Sequence, residues 1–189
     1  MDPLKIIGKF YGPGSAAYGL LVAHSEKVAE KALLSAARLA RKKEKQKWKN
    51  IRPDEEFIRE AAMLHDIGVF LTDAPAIGCF GDEPYICHGY LGRQILEGEG
   101  LPMHGLVAER HVGVGLTADD IRRQGFPIPQ RDMTPRSIEE IIICYADKFF
   151  SKGKDPLREK SVEEARRSIS RYGEEKLAVF DGWLELFGE

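Results

Sequence analysis

Four polar residues lie at positions where the helical period of the sequence calls for apolar side chains. His24 follows one leucine by three residues and precedes a valine by four, so its imidazole shares their face of a helix. His65 follows two alanines at similar spacings, and Asp66 is its direct neighbour. Asp147 lies in a segment made largely of isoleucine, tyrosine and phenylalanine. Because a buried carboxylate is costly unless it is paired or binds a cation, these positions call for a partner.

Each of these residues also has a purely structural interpretation. A single core histidine usually bonds to a backbone carbonyl, and a single buried aspartate usually meets an arginine or a helix N-terminus. Inward imidazole and carboxylate positions on three separate helices are better explained by one shared cation, because helical bundles build metal sites from facing helices. The sequence therefore predicts a metal site formed by His24, His65, Asp66 and Asp147.

The run Leu64–His65–Asp66–Ile67–Gly68 resembles the signature of the HD superfamily of metal-dependent phosphohydrolases, in its HDIG form. The resemblance implies that an upstream histidine, the adjacent His–Asp pair and a late helical aspartate bind the metal. In this sequence the corresponding residues are His24, His65, Asp66 and Asp147. Imidazole and carboxylate ligands suit Fe, Mn, Zn, Ni or Co better than Mg or Ca, which prefer oxygen-only shells.

The resemblance also implies a second metal ion, held with Asp66 by two further histidines. His88 and His111 are the candidates, since both lie between the HD pair and Asp147. The stretch that follows His111 is similar to that of small HDIG proteins of archaea and bacteria. The alternative is a single ion, with His88 as a capping or core residue. His104 is interpreted as an outer-sphere or surface residue, because Pro102 predicts a helix start just before it.

The activity that the resemblance implies is hydrolysis of a phosphate ester, with a nucleotide or dinucleotide as the favoured substrate, by water that the metal ions activate. The residues expected to act in catalysis are Asp66, His65 and Lys148. Two other classes stay open: an oxygenase of the HD fold with a di-iron site, and a nucleotide-binding or regulatory module without catalysis. A pure binding module has little need for a buried metal cluster, which favours the enzyme.

The sequence departs from the HDIG pattern directly after the glycine. Many HDIG proteins carry Lys or Arg there, and this chain has Val69. Another cation must therefore contact a substrate phosphate. The predicted substrate-binding residues are Arg110, Lys148 and Arg122.

The elements that must position these residues are helices, since no alternating strand pattern is visible. We expect one all-α domain, an HD-type helical bundle over residues 1–189, with the resemblance covering about 8–152 and two C-terminal helices packed on it. Periodicity, caps and breakers predict a long helix from Ser15 into the basic run Arg41–Lys49, followed by helices at Pro53–Gly68, Tyr85–Glu97, Pro102–His111 and Ala118–Gln124. The segments Phe70–Pro84 and Gly125–Thr134 are predicted to be a loop and an irregular stretch. Three further helices are predicted: one capped at Thr134–Pro135 that reaches Phe150, one that begins with a capping box at Ser161–Glu164, and Glu174–Phe187.

Composition limits the other classes of function. A net charge of -2 gives no electrostatic reason to expect nucleic acid, and the basic run at Arg41–Lys49 is interpreted as a solvated helix end. Three cysteines without a CxxC pair predict reduced thiols and a cytoplasmic location. The sequence has no apolar segment of signal-peptide or membrane-spanning length. The predicted partner is a small-molecule phosphate ester or nucleotide, with no membrane.

Overall fold

The structure, a computed structural model, describes residues 1–41, 52–152, 155 and 157–188 of the chain. Most of the basic run at 41–49 thus lies outside the described residues. The α-helices within the described part are α1 Pro3–Phe10, α2 Ala16–Arg41, α3 Glu55–Leu64, α4 His88–Gly98, α5 Pro102–Arg110, α6 Ala118–Gln124, α7 Ile138–Asp147, α8 Val162–Ser170 and α9 Glu174–Phe187. The predicted all-α class is confirmed.

Side-chain caps fix where several of these helices begin. The carboxylate of Asp54 accepts from the amide of Phe57 at the start of α3. The predicted capping box at Ser161 is present, with reciprocal hydrogen bonds to Glu164 at the start of α8. The final helix has the predicted bounds, Glu174–Phe187.

Two apolar clusters form most of the core. The larger one joins α2, α3, α7 and the C-terminal pair α8 and α9, and contains the packed rings of Tyr145, Phe149, Phe180 and Phe187. The second gathers α1, the beginning of α2, and the segment that follows α3. His24 lies along α2 between Leu21, which belongs to the second cluster, and Val28, which belongs to the first. The polar residues are therefore placed at the junction of the two clusters.

Three boundary predictions are wrong. The helix predicted from Thr134–Pro135 to Phe150 begins later, with Ser137 as the N-cap of α7, and ends earlier, at Asp147. The chain before Ser137 is held extended because Met133 exchanges two backbone hydrogen bonds with Leu116. The helix predicted to start at Tyr85 begins as a 3-10 turn, Tyr85–Cys87, and becomes α-helical at His88.

The segment predicted as a plain loop, 70–84, contains a small hairpin. Strands β1, Asp73–Ala74, and β2, Cys79–Phe80, pair antiparallel across the 3-10 turn Pro75–Ile77. Helix α1 was not predicted; it is capped by Asp2 and carries Pro3 in its first turn. Strands of two residues are too short to show an alternating pattern, which is why the sequence does not reveal them.

None of the helices in the described residues combines the length and apolar character needed to cross a bilayer. The three cysteines, Cys79, Cys87 and Cys144, are buried and are not joined in disulfides.

Candidate metal centre

Five helices bring six imidazole and carboxylate side chains together. His24 comes from the middle of α2, and His88 is the first residue of α4. The other four, which are His65, Asp66, His111 and Asp147, stand at or just after the C-terminal ends of α3, α5 and α7. The negative ends of three helix dipoles therefore meet at this place, and they favour a cation.

The first group consists of His24, His65, Asp66 and Asp147, whose ligand atoms all lie within 4.8 Å of one another. His24 Nε2 is 3.1 Å from Asp147 Oδ1 and 3.3 Å from Asp66 Oδ2. His65 Nε2 is 2.9 Å from Asp66 Oδ2 and 3.5 Å from Asp147 Oδ1. Two nitrogens and two oxygens thus surround one point, an arrangement that could hold a transition metal ion.

The second group consists of Asp66, His88 and His111. Its two Nε2 atoms lie 3.5 and 3.3 Å from Asp66 Oδ1, for His88 and His111 respectively. The same two nitrogens are 3.2 Å from each other. Asp66 therefore turns Oδ2 to the first group and Oδ1 to the second, which is the geometry of a carboxylate shared between two cations.

The hydrogen bonds of the histidine rings show which nitrogens are left for a ligand. Nδ1 of His65, His88 and His111 lies 2.6, 2.6 and 2.7 Å from the carbonyl oxygen three residues earlier. A carbonyl only accepts, so Nδ1 must carry the proton in each ring. Such a bond orients a metal-binding imidazole and fixes its tautomer. The Nε2 atoms, which face the cluster, are the available ligand atoms.

The unsatisfied buried atoms fit a bound metal. His65 Nε2 and both carboxylate oxygens of Asp66 are buried without a hydrogen bond of acceptable geometry. The Nε2 atoms of His88 and His111 face each other as two lone pairs, because both rings carry their proton on Nδ1. Such atoms are costly in a protein interior, and cations placed between them would remove that cost.

The two groups differ in their ionisation. Burial lowers the pKa of His65, but the adjacent carboxylates outweigh it and raise that pKa to about 9. Burial and the neighbouring His111 lower the pKa of His88 to about 3, and burial also lowers that of His111. Burial opposes ionisation of Asp66 and Asp147, yet nearby positive charges keep the pKa of both carboxyls well below the usual range.

Among the described residues two lysines, Lys148 and Lys152, contact the carboxylates of the cluster, and only Lys148 was predicted from the sequence. Lys148 donates from Nζ to Asp147 Oδ2 at 2.6 Å and to the carbonyl of His111 at 3.1 Å. Lys152, which was missed, places Nζ 2.6 Å from Asp66 Oδ2. Because α7 ends at Asp147, helical periodicity cannot predict the direction of a side chain beyond it. The adjacency of Lys152 to two buried phenylalanines was the only sequence signal.

Three residues singled out in the sequence are engaged elsewhere. Arg110 forms two hydrogen bonds with the buried carboxylate of Glu140, at 2.9 and 3.1 Å. Arg122 lies on the exposed face of α6 and pairs with its neighbour Asp119. His104 is buried against the ring of Phe57, with Nε2 3.3 Å from Glu60. The structure does not bring any of the three into the His–Asp cluster, so a substrate role for Arg110 or Arg122 stays a prediction.

Gly68 allows α4 to pack close to the HD pair. The sequence predicted only that this glycine ends a helix. It lies inside the 3-10 turn Ile67–Leu71, which follows α3. A Cβ on Gly68 would lie 2.2 Å from the carbonyl oxygen of His88 and 2.5 Å from the amide of Gly92. Any larger residue would therefore push α4 away, and His88 with it.

The HD domain family matches residues 21–151 of the 189, so the chain belongs to the HD domain family. This match confirms the predicted resemblance to the HD superfamily.

Among curated relatives, the uncharacterized protein MJ0778 of Methanocaldococcus jannaschii is 34% identical over 102 residues, which are 53% of this chain and 53% of that protein. A tRNA (cytidine(56)-2'-O)-methyltransferase of Thermoplasma volcanium is 27% identical over 132 residues, covering 65% of this chain and 35% of that protein. The chain thus spans about half or less of the length of these relatives.

Two solved structures share the fold. The HD domain of the phosphodiesterase PgpH from L. monocytogenes aligns with 99% of this chain and 96% of that chain, at a TM-score of 0.52 and 14% identity. The same domain in complex with cyclic-di-AMP aligns with 100% of this chain and 95% of that chain, at a TM-score of 0.53 and 14% identity. The predicted HD-type bundle, formed as one domain, is confirmed.

Proposed function

We propose that this protein is a metal-dependent phosphohydrolase whose substrate is a nucleotide or dinucleotide. The observation that carries the proposal is the position of Asp66, which presents one oxygen to each of two groups of buried ligand atoms. Two cations bridged by a carboxylate are a recurring arrangement in enzymes that hydrolyse phosphate esters.

His24, His65, Asp66 and Asp147 would hold one ion, and Asp66, His88 and His111 would hold the other. This mixture of imidazole and carboxylate favours Fe, Mn, Zn, Ni or Co. Such ions, when bound, lower the pKa of a water molecule and neutralise phosphoryl oxygens.

The chain's own residues orient and balance this site. The Nδ1–H···O bonds hold His65, His88 and His111 with their Nε2 atoms inward. Lys148 is tied to Asp147 and to the carbonyl of His111, so it fixes the carboxylate and links α7 to the end of α5. Its ammonium adds positive charge beside the place where an anionic phosphate would bind.

The substrate class is supported by the fold neighbour. The PgpH domain binds cyclic-di-AMP, a phosphodiester of two nucleotides, on the same overall architecture. At 14% identity this likeness concerns the fold, and a related substrate here is our proposal.

The test is metal analysis of protein purified without chelator, followed by a screen of nucleotides, dinucleotides and simple phosphate esters with Mn, Fe, Co, Ni or Zn added. We expect bound transition metal and release of phosphate or mononucleotide by at least one metal form. An Asp66→Ala variant purified in parallel controls for contaminating phosphatases. A wild-type protein that hydrolyses no phosphate ester with any metal contradicts the proposal. Iron with redox-dependent spectra and oxygen consumption would instead support the oxygenase alternative.

A further inference from the structure

The described side chains of the His–Asp cluster and its surroundings are not all equally buried. The side chains of His65 and Asp66 are 0% exposed, whereas those of Asp147 and Lys152 are 11% and 13% exposed. Tyr85 stands beside them, 40% exposed, with its ring centroid 4.6 Å from that of His88. Lys152 and Tyr85 are therefore among the more exposed of the described groups at the cluster.

Each of the other cations described near the cluster has at least one partner that a metal ion would leave unchanged. Lys148 is anchored to the backbone carbonyl of His111 as well as to Asp147. Lys160 donates to the carbonyls of Lys148 and Phe150. The guanidinium of Arg110 is engaged by Glu140.

Lys148 also contacts a candidate metal ligand, but Lys152 differs because, among the described residues, no backbone carbonyl anchors its ammonium. Its Nζ lies 2.6 Å from Asp66 Oδ2, the oxygen that faces the first group. This ammonium neutralises a carboxylate neither of whose oxygens has a hydrogen bond of acceptable geometry. A divalent cation on the same oxygen would take over that neutralisation and would repel the ammonium at short range. Loading with metal would thus free the positive charge of Lys152 beside the site.

We propose that Lys152 binds the phosphate of the substrate, after a metal ion has replaced it as the cation on Asp66. The proposal rests on the proposed function and adds to it the residue that recognises the anion. Lysine is a compact point charge on a flexible stem, so it can contact Asp66 in one state and a phosphate oxygen in the other. Tyr85 stands beside the same cluster, with its ring centroid 4.6 Å from that of His88.

The experiment compares Lys152→Met, Lys152→Arg and the wild type by calorimetry, with inorganic phosphate as the probe and Mn-loaded protein. Arg158→Met is the matched control: it removes one positive charge from the same segment, where Arg158 is exposed and pairs with Glu164. We expect Lys152→Met to bind phosphate about tenfold more weakly or worse, because one charge-assisted hydrogen bond is lost. Lys152→Arg and Arg158→Met should stay within about threefold of the wild type.

A second measurement tests the exchange directly. Titration of the metal-free proteins with Mn, without phosphate, should show that Lys152→Met binds the metal more tightly than the wild type, since the competing ammonium is gone. Phosphate binding by Lys152→Met at wild-type strength overturns the proposal. So does a Lys152→Met protein that no longer loads metal, because Lys152 would then belong to the charge balance of the cluster itself. Wild-type protein that binds no phosphate with any metal contradicts the proposed function as well.

Discussion

Two of the three buried aspartates among the described residues, Asp66 and Asp120, differ in how their oxygens are hydrogen-bonded. Asp120, in the first turn of α6, accepts hydrogen bonds from the amide and hydroxyl of Thr117, from Lys176 and from Arg123. Asp66 is buried more completely. Lys152 Nζ lies 2.6 Å from its Oδ2, yet neither carboxylate oxygen receives a hydrogen bond of acceptable geometry. Lys176 is in turn held by the carbonyl of Gly115 at 2.9 Å. Both carboxylates are buried and both lie beside a lysine. They differ in how many of their oxygen atoms accept hydrogen bonds of acceptable geometry.

This difference distinguishes a polar cluster that stabilises the fold from one that is suited to bind a ligand. At Asp120 the chain itself supplies every donor, so the cluster joins α6 to α9 and needs nothing further. Around Asp66 the chain supplies hydrogen bonds that orient the histidine rings, but both Asp66 oxygens and His65 Nε2 remain without a hydrogen bond. Buried polar groups are nearly always hydrogen-bonded, so a concentration of unpaired ones in a single place indicates a missing ligand.

The largest expected contrast is between Asp66→Ala and Asp120→Asn. Asp66→Ala removes the shared ligand, so metal binding should be lost and hydrolysis should fall by more than about a hundredfold, the upper end for loss of an outer-shell partner. Asp120→Asn should keep both. Metal content and turnover on the best substrate check this, with circular dichroism as the control for folding. Full activity of Asp66→Ala would end the proposed mechanism.

The two halves of the centre can be separated by removing His88 and His111 together. We expect wild-type protein to bind about two equivalents of metal. The His88→Ala, His111→Ala protein should retain about one equivalent, on the group that contains His24, and lose most of its activity. Metal stoichiometry by elemental analysis decides the matter. Saturation of the wild type at one equivalent under every metal would show that the two histidines serve another purpose.

A smaller effect is expected from Gly68→Ala, which tests how α4 is held against the HD pair. The new Cβ would lie 2.2 Å from the carbonyl of His88, so α4 must shift. We expect a loss of about 3 kcal/mol in the free energy of unfolding, with weaker binding of the second metal. Gly98→Ala, within α4 itself, is the control, because no neighbouring group would lie within 4 Å of the new Cβ. It should be neutral or gain about 0.5 kcal/mol in urea titrations.

The sequence could predict which residues approach the centre wherever a regular helix sets the direction of the side chain. His24 and Asp147 lie within α2 and α7, so polar residues on apolar faces were visible. Lys152 and Gly68 lie beyond helix ends, where the period no longer applies, and their contacts depend on how α4 and α7 pack. The sequence also could not show that the hydrogen bonds of Asp120 are satisfied, because its donor Lys176 lies on another helix. A local pattern shows that a group is buried, but the tertiary contacts decide whether it is paired.

The smallest expected effect is the response of the Asp120 cluster to acid. Burial opposes ionisation of Asp120, but Lys176 and Thr117 outweigh it and lower its pKa to about 2. The folded pKa is below the unfolded one, so this carboxylate contributes stability above about pH 4 that is lost as the pH falls towards 2. A shift of this size corresponds to about 2 kcal/mol.

The difference in unfolding free energy between wild type and Asp120→Asn should therefore be constant above about pH 5 and shrink towards pH 2. Urea titrations across this range measure it, and protonation at the metal centre occurs in both proteins and cancels in the difference. If the difference does not change with pH, the charge of Asp120 does not stabilise the fold. The contrast with Asp66 would then have to rest on hydrogen bonding alone.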